Sequence, residues 1–452
     1  MTDMERLGPA AATARDGSAS AGTGAPVLLD VTGLRVHFAL RGTFGQRVLG
    51  RQTASVKAVD GVSFQVRRGE VLGLVGESGS GKTTLGRAIL RLVPATSGNI
   101  TIDGRDITRL PEAQVRPLRR RVQMVYQDPH ASLNPAMTIL QSVGHPLRIH
   151  HITSSRSTAR EMVCHALERV GLVPAEQFLP KYPGDLSGGQ KQRAALARAI
   201  ITGPDLLVAD EPVSMLDMSV RAKVLDLMLE LRRGLDLTYI YITHDLATAK
   251  LVCDRVAIMY LGRIVEIGPA AEIFANPRHP YTEALLRAVP EPDPHRAVPR
   301  DLPRGEVPDA VRPPAGCAFH PRCPRAFAPC GWEGRDLRGL LEQRWTTLPV
   351  EEYQREAALV GPLDALDISG GDALLQASGG RAADLLALLE RIRDEEPDTP
   401  LWRGVSRLAA EGPGVAAQFH PAADPVLASE GEAGLTGTGD AVSVACHLYN
   451  PP

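Results

Sequence analysis

The chain has 452 residues, 44% of them apolar and only 4% aromatic, with a formal net charge of −2. That length suits one large domain with appendages, or two to three domains, with a core built mainly from Leu, Val, Ile and Ala. The near-balanced charge argues against a general nucleic-acid binder. No run nears the roughly 18 apolar residues of a membrane-spanning helix. The local basic run Arg116 to Arg121 reads as a solvated helix face.

In chain order, residues 1–26 are rich in Ala, Gly, Ser and Thr, without the apolar core of a signal peptide. They are expected to form a disordered tail of a cytosolic protein. A strand is predicted over 27–38, then a polar insertion from 42 and a second strand over 56–66. A short apolar run over 70–75 leads into Gly76-Glu77-Ser78-Gly79-Ser80-Gly81-Lys82-Thr83, and a helical pattern follows over 82–93. Residues 107–123 are basic and hold two prolines. Apolar spacing at i, i+3 and i+4 predicts helices over 139–143 and 160–170, within a separate helical subdomain of about 128–185. Helices over 190–201 and 220–233 alternate with strands over 206–209, 237–242 and 256–261. That alternation predicts an α/β fold with a mostly parallel sheet. The ATPase-like region is expected to span 27–276. Residues 277–330 are dense in Pro and Arg and hold three cysteines, and 331–440 are heterogeneous, with an amphipathic helix over 381–393. The segment 441–452 carries Cys446.

Three motifs carry the chemistry. The octet ending in Lys82-Thr83 fits G-x-x-x-x-G-K-[ST], in the strand–loop–helix context a phosphate loop requires. Its glycines let backbone N–H groups curl around phosphates at a helix N-terminus. Lys82 supplies charge to the β- and γ-phosphates, Thr83 a hydroxyl to Mg²⁺, and Thr84 completes the loop. Asp210 ends the apolar strand Leu206-Leu207-Val208-Ala209, where a carboxylate needs a cation and suits Mg²⁺. Glu211 follows, expected to face the other way and to polarise the attacking water. Between them, Ser187-Gly188-Gly189 caps a helix at Gln190 and forms a second anion site.

Leu186-Ser187-Gly188-Gly189-Gln190, at this distance before Asp210-Glu211, resembles the signature of ABC transporter ATPases. The resemblance implies a P-loop ATPase domain with a mostly parallel sheet core, an antiparallel β part and a helical subdomain. It also implies two such domains paired head to tail around two ATP molecules. Gln127 in Val125-Tyr126-Gln127-Asp128-Pro129 matches the Q-loop, which senses Mg²⁺ and water and touches the permease. Ser214-Met215-Leu216-Asp217 matches the D-loop, although the family more often has Ala where Met215 stands. His244 matches the switch histidine at the γ-phosphate, and Phe38 the aromatic that stacks on adenine.

Longer strings look like the ATPase subunits of oligopeptide, dipeptide and nickel importers. They are Tyr126 to Pro129 with Ser132-Leu133-Asn134-Pro135, and His279-Pro280-Tyr281-Thr282 with Ala284-Leu285-Leu286. The third is Gly316-Cys317-Ala318-Phe319 with Arg322-Cys323-Pro324 and Cys330. The resemblance covers 27 to about 330 and the last dozen residues. It implies a peptide-importer ATPase at the cytoplasmic face of the membrane. Its partners would be two permease subunits, a second ATPase subunit, identical or related, and indirectly an extracytoplasmic binding protein, with no nucleic acid. The alternatives are the same role in nickel or metal-chelate import, and a non-transport ABC ATPase of translation or DNA repair.

Cys317, Cys323 and Cys330 are spaced C-x5-C-x6-C, and Cys446 could add a fourth thiolate. Four cysteines suit Zn²⁺ or a [4Fe–4S] cluster. The spacing lacks the C-x2-C knuckle usual for zinc, and the resemblance favours iron. The family closes this motif over a short loop, whereas about 110 residues separate Cys330 from Cys446 here. His447 reads as a poorer ligand, and Cys164 and Cys253 as core residues.

Overall fold

Two runs of alternating apolar residues open the described part of the chain: β1 (Val27–Ala39) and β2 (Ser55–Arg67) pair antiparallel. The computed structural model describes residues 25–40, 54–128, 132–288, 306–367, 372–429 and 441–452. The expected N-terminal tail up to residue 24, most of the polar insertion after 42, and Pro129 lie outside them. The chain divides into two units. One comprises Met1–Asn276 with Leu435–Val442, the other Pro277–Gly434 with Ser443–Pro452.

In the first unit, β1 also pairs with β4 (Ser97–Ile102), which pairs with β5 (Arg105–Asp106), giving the antiparallel order β2-β1-β4-β5. The other sheet contains β3 (Val71–Val75), β6 (Val122–Val125), β7 (Leu206–Asp210), β8 (Thr238–Thr243), β9 (Arg255–Tyr260) and β10 (Arg263–Pro269). Within this unit its order is β10-β9-β3-β8-β7-β6. Pairing is parallel from β9 to β6, and only β10 runs antiparallel, on β9. β3, β7 and β8 are buried at every residue, so they read as continuous apolar runs, as central parallel strands do.

Helix Lys82–Ile89 lies between β3 and β4 and buries Leu85, Ala88 and Ile89. It stops short of the predicted residue 93, where Arg91 turns to φ +56° and Pro94 follows. Among the described residues, three α-helices of eleven or more residues lie between β6 and β7. Ile139–Ile149 starts in a capping box of Thr138 and Gln141, Arg156–Arg169 is capped by Ser155, and Gly188–Ile200 is capped by Ser187. Each cap satisfies an N–H that helix geometry leaves unpaired. The strands β4, β6 and β10 are not in the sequence prediction. β4 and β6 are short and only partly apolar, so no alternation marks them.

In the second unit, helix Pro280–Arg287 precedes the cysteine loops, and helices Gly334–Thr347 and Val350–Ala357 follow. Arg344 is the hub of this second pair. It bonds Glu356 at 2.9 Å, Glu395 at 2.7 Å and Glu396 at 3.0 Å. Next come β11 (Ala373–Gln376), helix Ala382–Glu395, β12 (Val405–Glu411) and β13 (Gly414–Phe419), with antiparallel order β11-β13-β12. Leu385, Leu388, Leu389 and Ile392 form the buried stripe of that helix, which packs on β12 and β13. The amphipathic pattern over 381–393 thus marks a real helix. The Ala-rich strands it covers carry no sequence signal.

Candidate functional sites: a nucleotide site and a cysteine pocket

The C-terminal ends of four neighbouring parallel strands bring the nucleotide motifs together. β3 runs into the phosphate loop, β8 ends at Thr243 before His244, β7 ends at Asp210, and β6 ends two residues before Gln127. Open α/β sheets bind ligands at this edge because loops and helix N-termini converge there.

Close backbone approach demands the loop glycines. A Cβ on Gly76 would lie 2.2 Å from the Met259 carbonyl, and one on Gly81 2.1 Å from the Ala58 carbonyl, with Gly81 at φ +101°. The Gly262 N–H adds a bond to the Ser80 carbonyl at 2.9 Å. The β9–β10 turn thus braces the loop, a role the motif alone does not reveal. Ser78 and Gly79 stay exposed at its crest. Lys82 is buried and donates through Nζ to the carbonyls of Gly76 and Glu77, each at 2.8 Å, and to Ser80 Oγ at 3.3 Å. Burial lowers its pKa, against the opposing pull of Glu211 and Asp210.

The Thr83 hydroxyl donates to Asp210 Oδ1 at 3.0 Å, joining the two expected Mg²⁺ groups. Asp210 is 3% exposed. Burial raises its pKa above 3.8, and the Glu211 charge adds to the rise. A divalent cation is the natural partner for such a carboxylate. Glu211 does not continue the strand. It leaves β7 at φ +46°, and its side chain becomes a hub. Gln127 Nε2 donates to its Oε2 at 3.0 Å, and His244 Nδ1 donates to its Oε1 at 2.9 Å. His244 stays 57% exposed, so it can reach a ligand without leaving its strand end.

The signature residues stand apart from this cluster. Ser187 and Gly188 are exposed, and the Ser187 side chain accepts the Gln190 N–H at 3.3 Å, in a capping box with Gln190. Gly189 lies against Val220, whose Cγ1 would be 2.5 Å from an added Cβ. Asp217 caps helix Met218–Leu235 through the Val220 N–H at 3.0 Å. Phe38 lies opposite Val56 in β1 and is 43% exposed.

In the second unit, Cys317, Cys323, Cys330 and Cys446, which the sequence separates by up to about 130 residues, line one pocket with His279, His320 and His447. Backbone N–H groups point at three of the sulfurs: Phe319 at Cys317, Arg325 at Cys323, and Phe327 at Cys330, the last at 3.5 Å. Burial raises all three thiols, Cys323 to about 12. Among the described residues, no three His, Cys, Asp or Glu side chains converge as one metal ion requires. His320 of this lining packs against a residue the sequence did not mark. Trp332 sets its ring edge-on to His320 with centroids 4.9 Å apart, and a Cβ on Gly404 would collide with that indole. Cys253 is buried and Cys164 half-buried, both in the first unit.

Comparison with known proteins agrees with the nucleotide geometry. Residues 59–214 match the ABC transporter family, and 265–330 match the oligopeptide/dipeptide transporter C-terminal region. A putative peptide import ATP-binding protein of Brucella ovis is 45% identical over 311 residues, 69% of this chain and 94% of that protein. The oligopeptide transport ATP-binding protein OppF of Escherichia coli is 43% identical over 330 residues, 73% of this chain and 98% of its own length. A solved dimeric cassette, MJ0796 bound to ADP and phosphate, is 26% identical, with TM-score 0.48 over 54% of this chain and 99% of that one. The chain belongs to the ABC transporter ATPase family, in the branch that carries the oligopeptide/dipeptide C-terminal region. It is an ATP-binding and ATP-hydrolysing transport subunit, and its site residues suit ATP with Mg²⁺. Among the described residues, no helix is long and apolar enough to cross a membrane.

Proposed function

We propose that this chain energises the import of short peptides through a membrane permease. The observation that carries the reading is the 43–45% identity along nearly the whole length of relatives named for peptide import. In this reading the chain sits at the cytoplasmic face of the membrane, against two permease subunits served by an extracytoplasmic binding protein. A second ATPase subunit faces it.

The site residues divide the work. The phosphate loop, Gly76 to Thr84, holds the phosphates, with Lys82 as their charge. Thr83, Asp210 and Gln127 hold Mg²⁺. Glu211 takes the proton of the attacking water. His244 shares Glu211 with Gln127 in hydrogen bonds, so a γ-phosphate that drew His244 away would free one carboxylate oxygen for that water. Exposed Ser187 and Gly188, half-buried Gly189 and Gln190, and Asp217 face the ATP of the partner subunit, and Phe38 stacks on adenine. The test is uptake of a labelled short peptide, and separately of nickel, in cells carrying wild-type or Glu211→Gln protein. Loss of peptide uptake alone supports the reading. Loss of nickel uptake, or of neither, sinks it.

We further propose that Cys317, Cys323, Cys330 and Cys446 hold a [4Fe–4S] cluster. Four buried thiols around one pocket, three of them facing backbone N–H groups, suit thiolates that a metal group neutralises. The cluster would supply a rigid cross-link between the loops. Protein purified without oxygen should be brown, absorb near ~400 nm and hold about four irons, whereas colourless protein with one zinc sinks the idea.

A further inference from the structure

Asp60 lies in β2 opposite Arg35 of β1, and its side chain is only 12% exposed. Three basic side chains converge on it. Arg263 holds Oδ2 at 3.0 Å, and Arg35 and His37 lie on Oδ1 at 3.3 Å and 3.2 Å. Burial works against its charge, yet the bonds and charges of Arg263 and His37 bring its pKa below 3.8. Arg263 and His37 come from different strands, and each stands next to a residue of the nucleotide site. His37 precedes Phe38 in β1. Arg263 follows Gly262, whose N–H holds the Ser80 carbonyl of the phosphate loop at 2.9 Å.

The backbone doubles this link. The Asp60 N–H donates to the Gly262 carbonyl at 2.9 Å, so Gly262 is tied to β2 through one group and to the loop through the other. β1 and β2 also slip in register here. Val36 faces Val59 while His37 faces Lys57, which leaves Ala58 as the extra residue. The Ala58 carbonyl would lie 2.1 Å from a Cβ on Gly81 and 3.0 Å from one on Gly262. Bulges re-aim a strand beside a site, and this one sets β2 directly against the phosphate loop.

We propose that Asp60 is a positioning residue of the nucleotide site: it ties the strand that carries Phe38 to the turn that braces the phosphate loop, so that base and triphosphate are gripped at a fixed separation. The proposal rests on the reading of Phe38 as the residue that stacks on adenine. Among the described residues the side-chain partners of Asp60 are Arg35, His37 and Arg263, none of them a group assigned to Mg²⁺ or to the attacking water. Asp60 therefore acts on binding and not on the chemical step. Loss of binding shared by ground and transition states raises KM and leaves kcat. Asp60→Asn keeps the shape and removes the charge. It should raise the KM for ATP roughly tenfold, the size of one charge-assisted hydrogen bond. Turnover at saturating ATP should stay within about twofold of wild type.

The test uses full-length protein with Mg²⁺ and two ligands, ATP and tripolyphosphate, which has no base. Affinities are read by competition against a fluorescent ATP analogue, and phosphate release is followed against ATP concentration. Asp60→Asn should weaken both ligands. Arg263→Gln should do the same, because it loosens the turn behind the loop. His37→Gln should weaken ATP and spare tripolyphosphate. Asp60→Asn with the wild-type KM, or with kcat lowered as much as affinity, overturns the proposal. So does His37→Gln that weakens tripolyphosphate as much as ATP. If Asp60→Asn fails to fold, the His37→Gln and Arg263→Gln pair decides the question with the same two ligands. Phe38→Ala that binds ATP like wild type overturns the stacking reading, and this proposal falls with it. That failure is recognisable because Asp60 is intact in that variant.

Discussion

Asp210 and Glu211 are neighbours in sequence with opposite surroundings. Asp210 ends a strand buried at all five positions, and burial raises its pKa above 3.8. A raised carboxyl favours folding while protonated and loses that contribution as pH rises through its folded value. Asp210→Asn keeps an acceptor for Thr83 and removes the buried charge. The nucleotide-free variant should therefore be more stable than wild type at pH 7. The gain should shrink to nothing below pH 3.8, where the wild-type carboxyl is protonated. Magnesium-dependent ATP turnover should be lost. Calorimetry across pH checks the first part, and unchanged stability at pH 7 would contradict the burial argument. At Glu211 both partners donate, so the Gln substitution keeps one acceptor oxygen for the two of them and removes the base. Turnover should fall by about 10²–10⁴ with ATP affinity retained, measured by phosphate release and calorimetric titration. Wild-type turnover would refute the base assignment. The proposed roles rest on motif spacing, which the sequence alone carries. The left-handed turn at Glu211 was not legible there, because nothing in Ala-Asp-Glu-Pro announces φ +46°.

At the scale of elements, the phosphate loop depends on two strands distant in sequence. Gly81→Ala would drive a Cβ to 2.1 Å from the Ala58 carbonyl of β2 at φ +101°. It should destabilise the fold by about 1–3 kcal/mol and weaken ATP binding together. A thermal melt and a nucleotide titration test this, and intact binding in a normally stable variant would contradict it. In the second unit, Arg344 and Glu356 join helices Gly334–Thr347 and Val350–Ala357, with side chains only 9% and 5% exposed. Bonds to Glu356 and Glu395 hold the guanidinium in its charged form. Arg344→Ala leaves Glu356 buried with Arg391 as its remaining cation, at 3.3 Å. The cost should approach the ~3–5 kcal/mol of a broken buried pair, read in a urea melt. A change below 1 kcal/mol would show the cluster to be solvated.

At the scale of the molecule, one chain carries one phosphate loop and one signature helix, so a full ATP sandwich needs a second ATPase chain. Gly188 allows a clean test. A Cβ there would meet only Leu216 Cδ2 at 3.8 Å, an ordinary contact. Gly188→Ala should leave stability within about 0.5 kcal/mol. Turnover should still fall at least ~10-fold if the residue faces a partner's ATP. Unchanged turnover in the assembled transporter would remove the signature residues from catalysis. The matched relatives account for 69% of the chain, and residues 1–26 and 331–440 together make up about the remainder. The sheet and helices of 331–440 lie beyond the residues that the two family models match, 59–214 and 265–330.

The sequence by itself determined the engine: the phosphate loop, the Asp210-Glu211 strand end, the signature helix and the alternation of strands and helices. These are local patterns, because phosphate binding, capping and parallel burial each need particular residues at short, fixed spacing. It also marked the cysteines as a group and left 331–440 without a reading, which tertiary structure supplied. The Ala-rich strands β12 and β13 carry no pattern that survives without the helix packed on them. Only folding brings Ala423 to Pro329 and to His447. A hydrogen bond between residues 24 apart leaves no periodic trace in the chain, so that tie is visible only in three dimensions.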